Sequence, residues 1–295
     1  MGIVTQTPTR PVDAGSTGSA PPATSPGRNL EGHRWVSRPA EAFTPEALKD
    51  RLIGNIRSWR DYPPSLRLWF WLIPVITAAL GGVLRLVRLD SPRTLVFDET
   101  YYVKDGYSFL VSGYERAWPD KANDAFVAGN PGVLLPGPEY VVHPPVGKWM
   151  IAAGMWLFGP DNPFGWRFGA AMTGTLSIFL LVLIAQKLFR SLTLGAVAGV
   201  LLAVDGHHLV MSRTSLLDIF LMFWVLAAFG ALLMDRDDGR RRLAERLGRR
   251  AAASKDGRPG LLQLASGPWL GIRWWRLAAG VCLGLAVGTK WSALF

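Results

Sequence analysis

LWFWLIPVITAALGGVL, residues 68–84, is the stretch that decides the fold. It carries no charged side chain and approaches the roughly 20 apolar residues that a helix needs to cross the hydrocarbon core of a bilayer. Phe168 to Ala185 is equally free of charge, and shorter apolar blocks follow at Leu192 to Val204, at Ile219 to Met234 and in the last twenty or so residues. Apolar blocks of this kind, separated by polar segments, specify an all-α polytopic integral membrane protein. About five transmembrane helices are expected, with interfacial helices in the first long loop.

The remaining composition fits that frame. Thirty-two Lys and Arg against 22 Asp and Glu leave a formal charge of +10 over 295 residues, which suits either nucleic-acid binding or the cytoplasmic flanks of membrane helices. Position decides for the flanks. Arg240, Arg241, Arg242, Arg246, Arg249 and Arg250 crowd into one segment between two apolar blocks, as the positive-inside bias requires, so no nucleic-acid partner is expected. Cys282 is the only cysteine, which excludes an intrachain disulfide. Residues 1–30, rich in Thr, Pro, Ser and Gly, bury too little surface to offset ordering and read as a disordered cytoplasmic tail. Residues 31–66 read as a cytoplasmic or interfacial lead containing a short helix, closed by Pro63-Pro64. The first apolar block follows this polar lead and is expected to remain as an anchor rather than a cleaved leader.

Orientation follows from charge and parity. Arg51, Arg57, Arg60 and Arg67 precede the first block and place the N-terminus in the cytoplasm, although Arg85 and Arg88 at its other end blur the signal. The segment 85–165 is then an extracytoplasmic loop. Trp149 to Phe158 is too short to span; leaving it out makes the 235–273 segment a cytoplasmic basic loop, whereas counting it would put ten Lys and Arg outside. Residues 67–295 form the membrane-embedded domain. Three polar islands thereby collect on one side: the 98–148 segment, the Asp205 to Asp218 turn, and Lys290 near the end of the last block.

Each island carries candidate chemistry beside a structural alternative. Asp98 and Glu99 are adjacent, so on a helix their side chains diverge by about 100 degrees and at most one faces a reacting atom. The alternative is an acidic helix N-terminus stabilised by the macrodipole. In His143-Pro144-Pro145-Val146-Gly147-Lys148 the prolines set up a helix start that puts Lys148 in a first turn, where a cation is disfavoured unless an anion such as a phosphate shares the site; a snorkelling lysine is the alternative. In Asp205-Gly206-His207-His208 the paired histidines lack a recognised metal-ligand spacing. Arg213 either presents a guanidinium fork to phosphate or pairs with Asp218. Lys290 adds a cation or snorkels.

Together these segments give a resemblance. Phe97-Asp98-Glu99-Thr100-Tyr101, His143-Pro144-Pro145-Val146-Gly147-Lys148, Ser212-Arg213-Thr214-Ser215-Leu216-Leu217-Asp218 and Gly288-Thr289-Lys290-Trp291-Ser292, in this order, resemble the motifs of the actinobacterial polyprenyl-phosphate-mannose protein O-mannosyltransferases, a GT-C type glycosyltransferase family. Val146 replaces Leu in the second motif, and Thr214 and Ser215 replace bulkier residues in the third. The resemblance covers residues 97–292 and implies an N-terminal portion of a longer enzyme. It implies transfer of mannose, with inversion, from a lipid-linked donor to Ser or Thr hydroxyls of secreted or membrane proteins at the extracytoplasmic face. Asp98 and Glu99 would be the catalytic carboxylates, and Arg213, Lys148, His143 and Lys290 would bind the donor phosphate. Neither cofactor nor metal is implied, and membrane lipid and the secretion translocon are the further candidate partners. A related transferase acting on a lipid or cell-wall glycan, and a non-enzymatic membrane protein, are the alternatives. The orientation is checked by reporter fusions after residue 245, which are expected to report cytoplasm; a periplasmic signal there would overturn the parity argument.

Overall fold

The structure, a computed structural model, describes residues 45–54, 56, 59–253 and 267–295; the expected tail over 1–30 lies outside the described residues. Helix α1 covers Pro45–Ile53, and a 3-10 turn at Trp59–Asp61 leads into α2, Pro64–Leu86. Then come α3 Glu99–Ser112, α4 Ala122–Val127, α5 Val146–Phe158, α6 Pro163–Phe189, α7 Leu192–Val204, α8 Gly206–Met211, α9 Leu217–Ala253 and α10 Trp274–Val287. Among the described residues there is no strand, only an isolated antiparallel bridge between Arg116 and Pro138.

The helix starts are written locally. Pro64 and Pro163 occupy first-turn positions, where their missing N–H costs nothing. The side chains of Asn162, Ser191 and Asp205 accept hydrogen bonds from the backbone N–H groups of Gly165, Leu194 and His208 and so cap α6, α7 and α8.

Among the described residues three helices are long and apolar enough to cross a membrane: α2, α6 and α9, of 23, 27 and 37 residues. The other two expected spans are α7 and α10, whose 13 and 14 residues correspond to only about 20 Å of helix, short of a bilayer core on their own. Helix α5, the piece left out of the parity count, has 13 residues and packs on α3 and α6. One expectation is corrected. Residues 235–253 are not loop but the continuation of α9 to Ala253. Buried Ala244, Leu247 and Ala251 keep an apolar stripe at i, i+3 and i+7 through the charged sequence, and α1 packs against α9. Ion pairs from Lys187 to Asp237 (2.6 Å) and from Arg273 to Asp235 (2.6 Å) tie the extension to α6 and to the start of α10.

Small residues set the packing inside the bundle, as they do where no hydrophobic drive exists between helices in lipid. A Cβ added at Gly154 of α5 would lie 2.5 Å from the Gly165 carbonyl oxygen of α6, and one at Gly82 of α2 would lie 3.1 Å from the Thr175 methyl of α6. Cross-helix contacts bring the C-terminal ends of α2, α7 and α10 and the N-terminal ends of α6 and α9 to one end of the bundle. The polar islands of the sequence meet at that end.

Candidate active site

The site is carried by a core that joins α3, α4, α5, α6 and the start of α9: Val103, Phe126, Ile151, Trp166, Leu217 and Phe220 are all fully buried. Glu99 lies in the first turn of α3 with no exposed surface, and its carboxylate is fully engaged. Oε1 accepts from Arg167 Nε (2.8 Å) and from the Ser215 backbone N–H (2.9 Å), while Oε2 accepts from Arg167 Nη2 (2.8 Å) and from the Val96 N–H (2.9 Å). Arg167 is buried too. Its remaining N–H groups go to the carbonyls of Leu89, Pro92 and Thr94 at 3.3, 2.8 and 2.8 Å, so all five guanidinium donors are used. One carboxylate and one guanidinium thus lock the loop after α2, the start of α3, the N-terminal part of α6 and the segment ahead of α9.

Asp98 is placed differently. It is the N-cap residue of α3 but its side chain caps nothing. It is half-buried, and among the described residues its side chain takes one hydrogen bond, from the Tyr102 hydroxyl 3.4 Å from Oδ2. Phe97 before it sits at φ 53°, a left-handed conformation that a bulky residue adopts only under constraint. The constraint is visible: Glu99 N–H and Thr100 N–H bond back to Val96 and Phe97 carbonyls, and Val96 N–H is held by the Glu99 carboxylate.

Around Asp98 the fold gathers Tyr102, His143, Asp218 and Lys290. Burial, then the Asp98 and Asp218 carboxylates, push the Tyr102 phenol upward, so it stays protonated and available as a donor. The Tyr102 and His143 rings lie 6.0 Å apart. Burial, then the Lys290 and Lys148 cations, hold His143 below its ordinary value, which leaves it neutral at pH 7. Lys290 grips Asp218 through both oxygens at 2.8 and 3.0 Å, and the Val146 N–H donates to the Gly288 carbonyl at 2.9 Å, fastening the His143 segment to the end of α10.

The other expected phosphate ligands have protein partners. Lys148, 1% exposed, pairs with Asp105 of α3 (2.9 Å) and with Glu115 (2.7 Å). These carboxylates are the anions that its first-turn position demanded. Glu139 joins the group: burial and the neighbouring Asp105 carboxylate raise it to about 7, and burial also raises Asp105 and Glu115. Arg213 does not pair with Asp218. It donates to the carbonyls of Leu84, Arg85, Val87 and Arg88 at 2.8–3.0 Å, a cation set on the C-terminus of α2 where the helix dipole favours it. Asp205 caps α8, and His208 takes a 2.7 Å bond at Nδ1 from Arg85.

Arg85 and Arg167 are the residues that reading for flanking charge misses. Arg85 is wholly buried, donating to the Gly81 and Ala203 carbonyls as well as to His208, so it is no flanking charge and carries no orientation signal. The signal for both was a charge immediately adjoining an apolar span, which is costly unless paired.

Comparison with known proteins agrees with the sequence motifs. The profile of the family described as dolichyl-phosphate-mannose-protein mannosyltransferase matches residues 75–247. A polyprenol-phosphate-mannose--protein mannosyltransferase of Mycolicibacterium smegmatis is 42% identical over 238 residues, 80% of this chain and 41% of that protein. One of Mycobacterium tuberculosis is 42% identical over 240 residues, 80% of this chain and 40% of that protein. An undecaprenyl phosphate-alpha-4-amino-4-deoxy-L-arabinose arabinosyl transferase of Pseudomonas aeruginosa is 30% identical over 161 residues, 55% of this chain and 26% of that protein. The chain thus spans about two-fifths of the length of the mannosyltransferases it matches.

Two measurements check this geometry. Arg167→Leu leaves the Glu99 carboxylate buried without its cation and is expected to cost ~3–5 kcal/mol of stability, read as a large loss of thermal stability in detergent. Glu139, raised above its ordinary 4.5 to about 7, holds a proton in the folded state that the unfolded chain releases. Its contribution is therefore complete below pH 4.5 and is lost as pH rises towards 7. Glu139→Gln is expected to flatten the decline of the melting temperature between pH 4.5 and 7, measured against wild type.

Proposed function

Because the chain belongs to the dolichyl-phosphate-mannose-protein mannosyltransferase family, we propose that it supplies the acceptor-activating half of a site that transfers mannose from a polyprenyl-phosphate donor to Ser or Thr hydroxyls of proteins. One observation carries the residue assignment. Of Asp98, Glu99, Asp105, Glu115 and Asp218, only Asp98 makes no ion pair among the described residues. A carboxylate serves as general base only if an oxygen is free to take the proton.

In the proposed step the acceptor hydroxyl oxygen attacks the anomeric carbon and gives its proton to Asp98. The bond from that carbon to the donor phosphate breaks, and polyprenyl phosphate leaves with the electron pair. A single displacement of this kind inverts the anomeric centre. Glu99 acts through Arg167 by fixing the turn that aims Asp98. Charge developing on the leaving phosphate is stabilised by fixed donors, for which Lys290, the neutral His143 and the half-exposed Arg213 are the candidates here. Lys148 is assigned to holding α5 against the Asp105 and Glu115 carboxylates.

The site would face outward. Arg60, Arg67, Lys187 and Arg240 to Arg250 lie towards the other end of the spanning helices, which supports a cytoplasmic N-terminus under the positive-inside bias. Acceptors would meet the site as they emerge from the membrane, with the secretion translocon as a candidate partner. The Pseudomonas relative, named for arabinosyl transfer, favours a second reading, in which a lipid-borne glycan is the acceptor. Mannose on secreted proteins, present in the wild type and absent from a deletion strain, separates the two.

Asp98→Asn in the protein assayed with polyprenyl-phosphate mannose and a Ser/Thr peptide is expected to lower turnover by roughly 100- to 10,000-fold. Its melting temperature is expected to stay near wild type, since among the described residues the Asp98 side chain makes one long hydrogen bond. Wild-type turnover in this variant would remove Asp98 from the mechanism.

A further inference from the structure

Between Pro138 and Pro144 the chain reads Glu139-Tyr140-Val141-Val142-His143, with neither helix nor turn from Glu139 to Val142. The start of this run pairs with the segment after α3. The Glu139 N–H donates to the Glu115 carbonyl (3.1 Å), the Ala117 N–H donates to the Gly137 carbonyl (2.9 Å), and Arg116 and Pro138 form the antiparallel bridge between them. In an antiparallel pair the residues of one strand turn their N–H and C=O groups alternately towards the partner and away from it. Gly137 and Glu139 face the Glu115 to Ala117 segment, so the backbone groups of Tyr140 and Val142 fall on the opposite, open edge. Among the described residues no backbone N–H or C=O of Tyr140, Val141 or Val142 is hydrogen-bonded.

The side chains there are bare as well: Tyr140 is 87% exposed, Val141 55% and Val142 57%. Lipid tails do not suit this surface, because hydrocarbon leaves backbone N–H and C=O groups unsatisfied at high cost. Exposed strand edges are ordinarily blunted by charged side chains or proline, and Tyr140 to Val142 carry neither. The edge offers a donor and an acceptor repeated every second residue, roughly 7 Å apart, between large apolar side chains. That repeat is matched by another polypeptide backbone and not by a sugar or a polyprenyl chain. The far end of the run leads into the candidate site. His143 follows Val142, its ring lies 6.0 Å from that of Tyr102, and the Tyr102 hydroxyl bonds to Asp98.

We propose that Tyr140 and Val142 form the edge on which the acceptor polypeptide docks as an added β-strand, its main chain pairing with their N–H and C=O groups and carrying a Ser or Thr towards Asp98. Recognition through the main chain requires an extended, unfolded acceptor segment and leaves its sequence largely free. The inference rests on transfer to proteins as the function and adds how the protein is held.

The test is fluorescence anisotropy of a fluorescein-labelled nonapeptide of Ala, Val and Thr with one central Ser, titrated without donor with the 295-residue chain in nonionic detergent. Saturable binding is expected. Val142→Pro removes an N–H from the open edge and is expected to weaken binding about three- to tenfold, the loss of one hydrogen bond. Val141→Pro removes a neighbouring valine and an N–H on the other edge, and is expected to leave the affinity as it was. A peptide N-methylated at four consecutive amides around its Ser is expected to bind wild type at least tenfold more weakly, although methylation adds apolar surface; this arm needs no variant to fold. Equal affinities for the two variants, undiminished binding of the methylated peptide, or no saturable binding at all would overturn the proposal. So would a dimer in native mass spectrometry that Val142→Pro dissociates, which would give the edge to a second copy of the chain. Peptide binding with the expected dependences but no mannosyl transfer from polyprenyl-phosphate mannose would keep the docking edge and remove the proposed function. Transfer with the same KM for the plain and methylated peptides would do the reverse.

Discussion

The Glu99–Arg167 pair is the constraint on which the polar end of this protein depends. Both groups are desolvated, and such a pair is tolerated only when every lone pair and N–H is satisfied. Here the carboxylate takes four hydrogen bonds and the guanidinium gives five. The contacts run to four separate segments, so the loop after α2, the start of α3, the head of α6 and the approach to α9 have one mutual arrangement. Asp98 inherits its position from that arrangement without taking part in it. A fully bonded carboxylate thus stands beside one whose side chain takes a single long hydrogen bond, from the Tyr102 hydroxyl, among the described residues.

The same division recurs among the cations. Lys148 is consumed by Asp105 and Glu115, and Arg85 by carbonyls of α2 and α7 and by His208, while Arg213 rests on the carbonyls ending α2 and stays half-exposed. Lys290 holds Asp218 yet remains partly exposed, its side chain 23% accessible. Charge inside a membrane protein is costly unless paired, and this chain meets the cost by placing each buried cation on a specific oxygen. The interaction of helix ends is what makes that possible. Antiparallel neighbours bring C-terminal carbonyls of one helix beside the cationic turn that leads into the next.

Much of the fold was legible. The charge-free runs at 68–84 and 168–185 became α2 and α6, Leu192 to Val204 became α7 with those bounds, and Trp149 to Phe158 is a short helix packed on α3 and α6. The misread segment was 235–253. Its Arg-rich sequence reads as loop because charge dominates composition, but helix persists where one stripe, Ala244, Leu247 and Ala251, finds a surface to cover. The candidate site was legible in part. Asp98, His143 and Lys290 do gather, with Asp218 beside them, because their motifs lie at helix ends that alternate in direction. Arg85 and Arg167 were not legible as buried groups, since each adjoins an apolar run in the manner of an ordinary flanking charge.

The sequence by itself determined the apolar blocks, the helix starts set by Pro64, Asn162, Ser191 and Asp205, and the chemistry present at each polar turn. These are local matters, fixed by hydropathy and by side chains one to three residues from the backbone they cap. Only the tertiary structure decided which charged groups are free. Lys148 meets Glu115 across 33 residues, Arg167 meets Glu99 across 68 and Arg213 meets the end of α2 across more than 120. A charge's role is set by what its partner is, and partners at such separations are chosen by packing, not by neighbours in the chain.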